Sequence, residues 1–266
     1  MLVNQCSLVD NLIILLGRSR AASYEQIGRD LFYLPRTESG IVRQLLVGLL
    51  DKDKRFLFHD DSLELLPDPN ETRSVKDATY VVVDVETTGA RPNSDRITEI
   101  AAYKISGGQI VGEINTLINP QRPISRYVVQ LTGITDEMVR TAPLFSDVYE
   151  QVVDFFSDAV FVAHNAPFDW RFVNREIERV TGRGLANMRL CTVQMTRRIV
   201  PDLPNYKLHT VAEHFKIEIE NRHRAGGDAF ATAKIFMKLL DVMAEFGVPN
   251  VAGARKFKIA GNYSRC

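Results

Sequence analysis

The sequence predicts an α/β protein with a smaller domain in front of it, and three observations carry that prediction. Val81, Val82, Val83 and Val85 form the β-branched run expected of a strand buried on both faces. From Val148 onward, helical patterns alternate with short apolar strands, as in an α/β domain. Between Pro67 and Asp77 two prolines and mostly polar residues interrupt the hydrophobic pattern, which places a linker at residues 68–77 between a domain at 1–67 and a domain at 78–246. Residues 247–266 then read as a solvated tail, with Arg255, Lys256, Lys258 and Arg265 and no acid.

Composition sets looser bounds. The 266 residues suffice for one large or two modest domains, and the 33 basic residues balance the 33 acidic ones. Net charge therefore neither favours nor excludes a polyanionic partner. Cys6, Cys191 and Cys266 form no CxxC and are odd in number, which suits a reducing, cytoplasmic setting. Leu8 to Leu16 is apolar but too short to span a bilayer, and the basic region and cleavage site of a signal peptide are missing, so no membrane partner is expected.

In the first domain, Leu8–Leu16 is a helix candidate, and Ser23 suits the N-cap of a second helix with Ile27 and Leu31 on one face. A third helix candidate carries Ile41, Leu45, Leu46 and Leu49. Arg55–His59 and Ser62–Leu66, joined at Asp60-Asp61, read as a hairpin. Three helices and a hairpin resemble a winged-helix domain. Such a domain can place a helix on nucleic acid, but acidic residues slightly outnumber basic ones here, which favours a protein-contact or structural module.

In the second domain, residues 80–89, Arg96–Ile105 and Gln109–Ile118 read as successive antiparallel strands with a tight turn at Ser106-Gly107-Gly108. Val148–Phe156 suits an amphipathic helix and Ala159–Ala163 a short buried strand. Pro167 suits the first turn of a helix that turns Phe172, Val173, Ile177 and Val180 inward. Gly226 and Gly227 precede a last long helix with Ala229, Ala233, Phe236 and Leu240 on its inner side.

Two acids interrupt the valine strand. Side chains alternate along a strand, so Asp84 and Glu86 share a face with Cα atoms about 6.5 Å apart. Like charges that close raise each other's pKa unless a cation lies between them, which points to a metal site. Asp169, in the first turn of its helix, is by itself explained by the helix dipole. Asp228 alone suits a helix start, and His223, which the glycines let fold back toward it, alone suits a surface histidine.

The order of these segments is more specific than any one of them. A DxE on a strand, Asn165 and Phe168-Asp169 after a later strand, and His223 five residues before Asp228 resemble the three motifs of the DEDDh 3′ to 5′ exonucleases. Within that superfamily the chain is most similar to the proofreading epsilon subunits of bacterial DNA polymerase III. The resemblance covers about Thr79 to Phe246 and includes Thr87-Thr88-Gly89, Leu131–Thr135 and Asn205–His209. The tyrosine sibling class carries Tyr four residues before the last Asp, where this chain has Arg224. Relatives often have Asp-Thr where Cys191-Thr192 stands, and Cys191 reads as a thiol outside the chemistry.

The resemblance implies a ribonuclease H-like fold, a mixed five-stranded sheet flanked by helices. It implies two Mg²⁺ or Mn²⁺ ions held by Asp84, Glu86, Asp169 and Asp228, with His223 as general base. Hard carboxylate oxygens suit such ions, and two of them supply both the nucleophile and the charge stabilisation that phosphodiester hydrolysis needs. Thr87, Thr88, Gly89, Leu131, Gly133 and Ile134 would line the terminal-nucleotide pocket, with Asn165 and Phe168 nearby, although core packing explains Phe168 equally well. The implied substrate is a single-stranded or frayed DNA 3′ end, the implied product nucleoside 5′-monophosphates, and the implied partner a replicative polymerase subunit. An RNA-trimming enzyme of the same fold and a non-catalytic adaptor are the alternatives. The adaptor would be expected to have lost part of the metal set, which is complete here.

Overall fold

The computed structural model describes residues 8–17, 19–34, 38–50 and 53–259. The chain divides into two compact units, Met1–Asp68 and Pro69–Cys266. Cys6, Arg265 and Cys266, named above, lie outside the described residues.

In the first unit, α1 (Leu8–Leu16) leads to β1 (Ala21–Ser23), α2 (Tyr24–Asp30), α3 (Ser39–Leu50), β2 (Phe56–Phe58) and β3 (Ser62–Leu65). The three strands form an antiparallel sheet in the order β1-β3-β2. Ser23 caps α2 as expected, its hydroxyl accepting from the Gln26 amide at 3.2 Å. Leu12, Leu16, Ile27, Leu46 and Leu63 meet in the core of this unit. Two details go beyond the sequence reading. β1 has no counterpart in it, because Ala-Ala-Ser carries none of the aromatic or β-branched residues that mark a strand. The buried face of α3 is Val42, Leu46 and Leu50, leaving Ile41, Leu45 and Leu49 exposed; a helix with apolar residues on both sides does not declare its inner face.

The second unit begins with α4 (Pro69–Thr72), then β4 (Tyr80–Thr87), β5 (Ile97–Ser106) and β6 (Gln109–Leu117). It continues through α5 (Arg126–Thr132), α6 (Asp136–Arg140), α7 (Phe145–Phe156), β7 (Val160–Ala163), α8 (Pro167–Thr181) and β8 (Arg189–Cys191). Last come α9 (Thr192–Ile199), α10 (Leu208–His214), α11 (Ala225–Glu245) and α12 (Val251–Lys256). The five strands are ordered β6-β5-β4-β7-β8, antiparallel among the first three and parallel among the last three, so β4 is central. This is the mixed five-stranded sheet flanked by helices that the resemblance implied.

Each face of the sheet has its own core. Tyr80 and Val82 pack with Ala229, Ala233 and Phe236 of α11 on one face. Val81, Val83 and Val85 pack with Phe156 of α7 and Phe172, Val173 and Ile177 of α8 on the other. Val180 is 37% exposed and lies off that inner face.

The stretch read as a linker is folded into this unit from Pro69 onward. Asn70 is buried and donates to the Asp158 carbonyl at 2.8 Å, and Val75 joins the α11-side core. The stretch read as a tail is folded as well, as far as Ile259. Val251, Ala254 and Ile259 are buried, the Val251 amide donates to the Arg73 carbonyl at 3.1 Å, and Ser74 bridges Asn250. The two ends of the unit thus close on each other, a pairing across more than 170 positions that neither segment shows locally.

Candidate active site

Asp84 and Glu86 extend the Tyr80–Val82 face of β4, the face covered by α11. Asp228, in the first turn of α11, comes down onto them. Carboxylate oxygens of Asp84, Glu86 and Asp228 all lie within 4.8 Å of one another. Asp169 reaches the same strand from the first turn of α8. Beyond the last β4–β7 pair, Val82 with Val162, the Val85 amide finds its acceptor in Asp169 Oδ1 at 3.2 Å. Between Glu86 and Thr87 the β4–β5 register shifts by a bulge, a common way to aim side chains beside a site.

Burial and mutual repulsion make this cluster electrostatically unfavourable as it stands. Burial, then the charges of Asp169 and Glu86, push the Asp84 carboxyl well above the usual carboxylate range. Glu86 is pushed up to about 8, first by burial and then by Asp228. Burial likewise raises Asp169 to about 8, against the opposing effect of the amides that donate to it. Asp228 is raised by burial and partly relieved by the His223 amide, which donates to its Oδ2 at 3.2 Å. Its other oxygen, Oδ1, is buried without a hydrogen-bond partner among the described residues. An all-oxygen donor set, short separations and an orphaned carboxylate oxygen fit a hard divalent cation.

His223 stands directly before the Arg224 N-cap of α11, in a left-handed conformation with φ 61°. Gly226 and Gly227 fall inside the first turn of α11 rather than before it, and close approach explains them. A Cβ on Gly227 would overlap the Glu220 carbonyl, and one on Gly226 the Asn115 side chain. Beside His223 and Asp228 opens a cavity of about 290 Å³ lined also by Lys207, Leu208, His209, Ile219 and Arg222.

The remaining residues divide into wall and core. Thr87 donates to the Gly89 carbonyl at 2.6 Å, and Thr88 exchanges hydrogen bonds with the Arg96 backbone at 2.9 and 3.1 Å. These bonds fold the end of β4 into a fixed corner. Gly89 lies so near the Asp95 carboxylate that a Cβ would sit 2.6 Å from it. Leu131 is 43% exposed at the end of α5, and Gly133 is its left-handed C-cap. Ile134 is fully buried against Ile124, Val128 and Val139, so it supports the Leu131 corner from below instead of presenting a surface. Asn165 is exposed with φ 70°, directly after His164, whose ring is held by Thr192 Oγ1 and the Tyr206 carbonyl, both at 2.9 Å. Phe168 packs on Phe172 with ring centroids 5.0 Å apart and is half-buried, which suits both roles given to it. Cys191 is half-buried at the end of β8.

Glu99 and Glu176 are buried acids that the sequence did not single out. Glu176 on α8 holds Arg96 in a two-pronged pair at 2.7 and 3.0 Å, and Arg179 on α8 donates to the Pro92 and Asn93 carbonyls. Together they tie the loop after Gly89 to α8. For Glu99, an acid in the apolar run of β5 was the available signal; Glu176 stands among other charged residues of α8 and offers none, its meaning lying in a partner distant in sequence.

A family model described as Exonuclease (RNase_T) matches residues 81–236, more than half of the chain. A PolC-type DNA polymerase III from Caldanaerobacter subterraneus subsp. tengcongensis is 40% identical over 193 residues, which cover 73% of this chain and 14% of that protein. Its counterpart from Thermotoga maritima is 38% identical over 188 residues, 71% of this chain and 14% of that protein. The chain thus spans about a seventh of the length of these relatives. Among solved structures, Exonuclease X in complex with 5′ overhanging duplex DNA is similar with a TM-score of 0.51 and 27% identity, covering 62% of this chain and 93% of that one. E. coli Exonuclease I in complex with a dT13 oligonucleotide has the same fold at a TM-score of 0.58 and 19% identity, covering 64% of this chain and 42% of that one.

Proposed function

The chain belongs to the exonuclease (RNase_T) family, and from that premise we propose that it is a metal-dependent 3′ to 5′ exonuclease that releases nucleoside 5′-monophosphates from single-stranded or frayed DNA ends, in proofreading or repair. The observation that carries this reading is the cluster of Asp84, Glu86 and Asp228 within 4.8 Å, with Asp169 anchored beside it on the Val85 amide. DNA as substrate is supported by the relatives, which are DNA polymerases by name, and by Exonuclease X with its overhanging duplex. Association with a replicative polymerase subunit is proposed on the same relatives.

Asp84, Glu86, Asp169 and Asp228 would hold two Mg²⁺ or Mn²⁺ ions. Bound there, such ions supply a nucleophilic water at neutral pH and stabilise the charge on the leaving 3′ oxygen. The side chains do the rest. His223, which lines the cavity with Asp228, accepts the proton of the attacking water, a task an imidazole ring nitrogen can perform as a hydrogen-bond acceptor. The Thr87–Gly89 corner and Leu131 receive the terminal nucleotide, with Asn165 and Phe168 at its edge; apolar contacts to a base tolerate any sequence. Lys207 and Arg222 offer cations to the strand's phosphates. The first unit, with its order helix, strand, helix, helix, hairpin, supports a winged-helix module serving protein contact.

The test is release of mononucleotides from matched DNA and RNA oligonucleotides with Mg²⁺ or Mn²⁺. Wild type is expected to degrade DNA, and Asp84→Ala to lose roughly a thousand-fold in rate, the equivalent of several kcal/mol of charge stabilisation. A strong preference for RNA would replace proofreading with RNA trimming. Equal inertness of wild type and variant on every substrate would make the protein an adaptor.

A further inference from the structure

Glu99 faces Glu86 directly across the β4–β5 ladder and is 3% exposed, so a fifth carboxylate borders the acidic centre. Its oxygens are already engaged. Arg224 Nε donates to Oε2 at 3.0 Å, Arg224 Nη2 to Oε1 at 2.7 Å, and the Ala225 amide to Oε2 at 3.0 Å. A carboxylate receiving three such bonds, two from one guanidinium fork, has little left to offer a cation. Glu99 is therefore set apart from the four acids around it.

What the pair joins is informative. Glu99 sits on β5, beside the central strand, whereas Arg224 is the N-cap of α11, between His223 and Asp228. The backbone just before Arg224 is in an uncommon conformation, with φ 49° at Asn221 and 61° at His223. Left-handed residues other than glycine persist where the surroundings over-determine them. Arg224 also occupies the position, four before the last aspartate, where the sibling class carries its tyrosine. Here that side chain turns into the sheet and takes no place among the reacting groups.

We propose that the Glu99–Arg224 ion pair is a positioning strut: it locks the start of α11 to β5 and so holds His223 in the left-handed conformation from which its imidazole serves the site. Glu99 and Arg224 are positioning residues that act through His223. The kinetic part of this inference rests on the nuclease reading; the structural part does not.

Two measurements on the full chain test it. In the metal-free protein, Glu99→Gln, which keeps the shape and removes the charge, speeds amide hydrogen exchange at residues 221–225 by about tenfold or more, while β4 and β7 keep their wild-type rates. With a single-stranded oligodeoxynucleotide and Mn²⁺, the same variant lowers kcat by about 10- to 100-fold at nearly unchanged KM, the scale of a slight misplacement of a reacting group. Arg224→Lys, which keeps the charge but not the fork, lowers kcat less, and it carries both measurements if Glu99→Gln fails to fold. In a His223→Ala background, Glu99→Gln lowers kcat no further, an outcome a merely structural role would not give. Unchanged exchange at 221–225, or a full additional loss in the His223→Ala background, overturns the strut. A wild type that releases no nucleotide refutes the nuclease reading instead, and the exchange result still decides the strut.

Discussion

Burial of Asp84, Glu86, Asp169 and Asp228 works against the fold in the absence of a cation. Each carboxyl is raised from its ordinary value, first of all by burial. A group that binds its proton more tightly when folded gives the native state more protons than the unfolded one between the two pKa values. The unfolding free energy then falls as pH rises. With Glu86 and Asp169 at about 8, the metal-free protein should lose stability steadily from about pH 4 to about pH 8. Thermal melts across that range with chelator, and again with Mn²⁺, check this; the ion should flatten the decline. At pH 8 with chelator, Asp84→Asn should raise Tm by about 2–4 °C for each kcal/mol of repulsion removed, the opposite of its effect on activity. His164 titrates in the other sense. Burial lowers it below 6.5, so it is neutral in the fold, and the stability this confers is lost as pH falls below about 6.5. His164→Gln should remove that acid-side loss from the melting curve. The acids and His223 were legible in sequence because their spacing is fixed by strand and helix starts. Glu99 and Glu176 were not, since their arginines lie 125 and 80 positions away.

At the scale of elements, the site depends on how α8 and α11 begin. Asp169 enters through the Pro167 turn, and Asp228 through a turn so tight against residue 220 that only glycine fits at 227. Gly227→Ala should therefore cost about 1–3 kcal/mol as overpacking and lower kcat more than it raises KM. Urea unfolding and steady-state kinetics on one preparation separate the two effects. The strands β4 to β7 and the helices α7, α8 and α11 could be read from valine runs, alternation and helical spacing. β1 and β8 could not, because Ala-Ala-Ser and Arg-Leu-Cys lack the aromatic and β-branched residues that mark a strand, which the equally short β2 has in Phe56 and Phe58. The inner face of α3 does not declare itself in sequence, because its apolar residues lie on both sides of the helix.

For the molecule as a whole, the second compact unit, Pro69–Cys266, is larger than the 78–246 domain read from the sequence. Polar and proline-rich composition marked 68–77 as a linker and basic composition marked 247–266 as a tail, yet Val75, Val248, Val251, Ala254 and Ile259 all belong to its core. Those contacts join the two ends of the unit and leave no periodic trace. A fragment of residues 69–259 should fold by itself, whereas one of 78–246 should be less stable by several kcal/mol, given about 1.5–3 kcal/mol for each large apolar side chain left unburied. Calorimetry of the two fragments decides this; equal stability would restore the linker and the tail. The central claim is that this fold presents a carboxylate-held metal site to a 3′ end. Its most direct test is a single-stranded DNA labelled at the 5′ end, incubated with Mg²⁺ beside the Asp84→Ala variant. Wild type should shorten the strand one nucleotide at a time from the 3′ end while the variant leaves it intact. Internal cuts, shortening from the 5′ end, or equal cleavage by the variant would contradict the account.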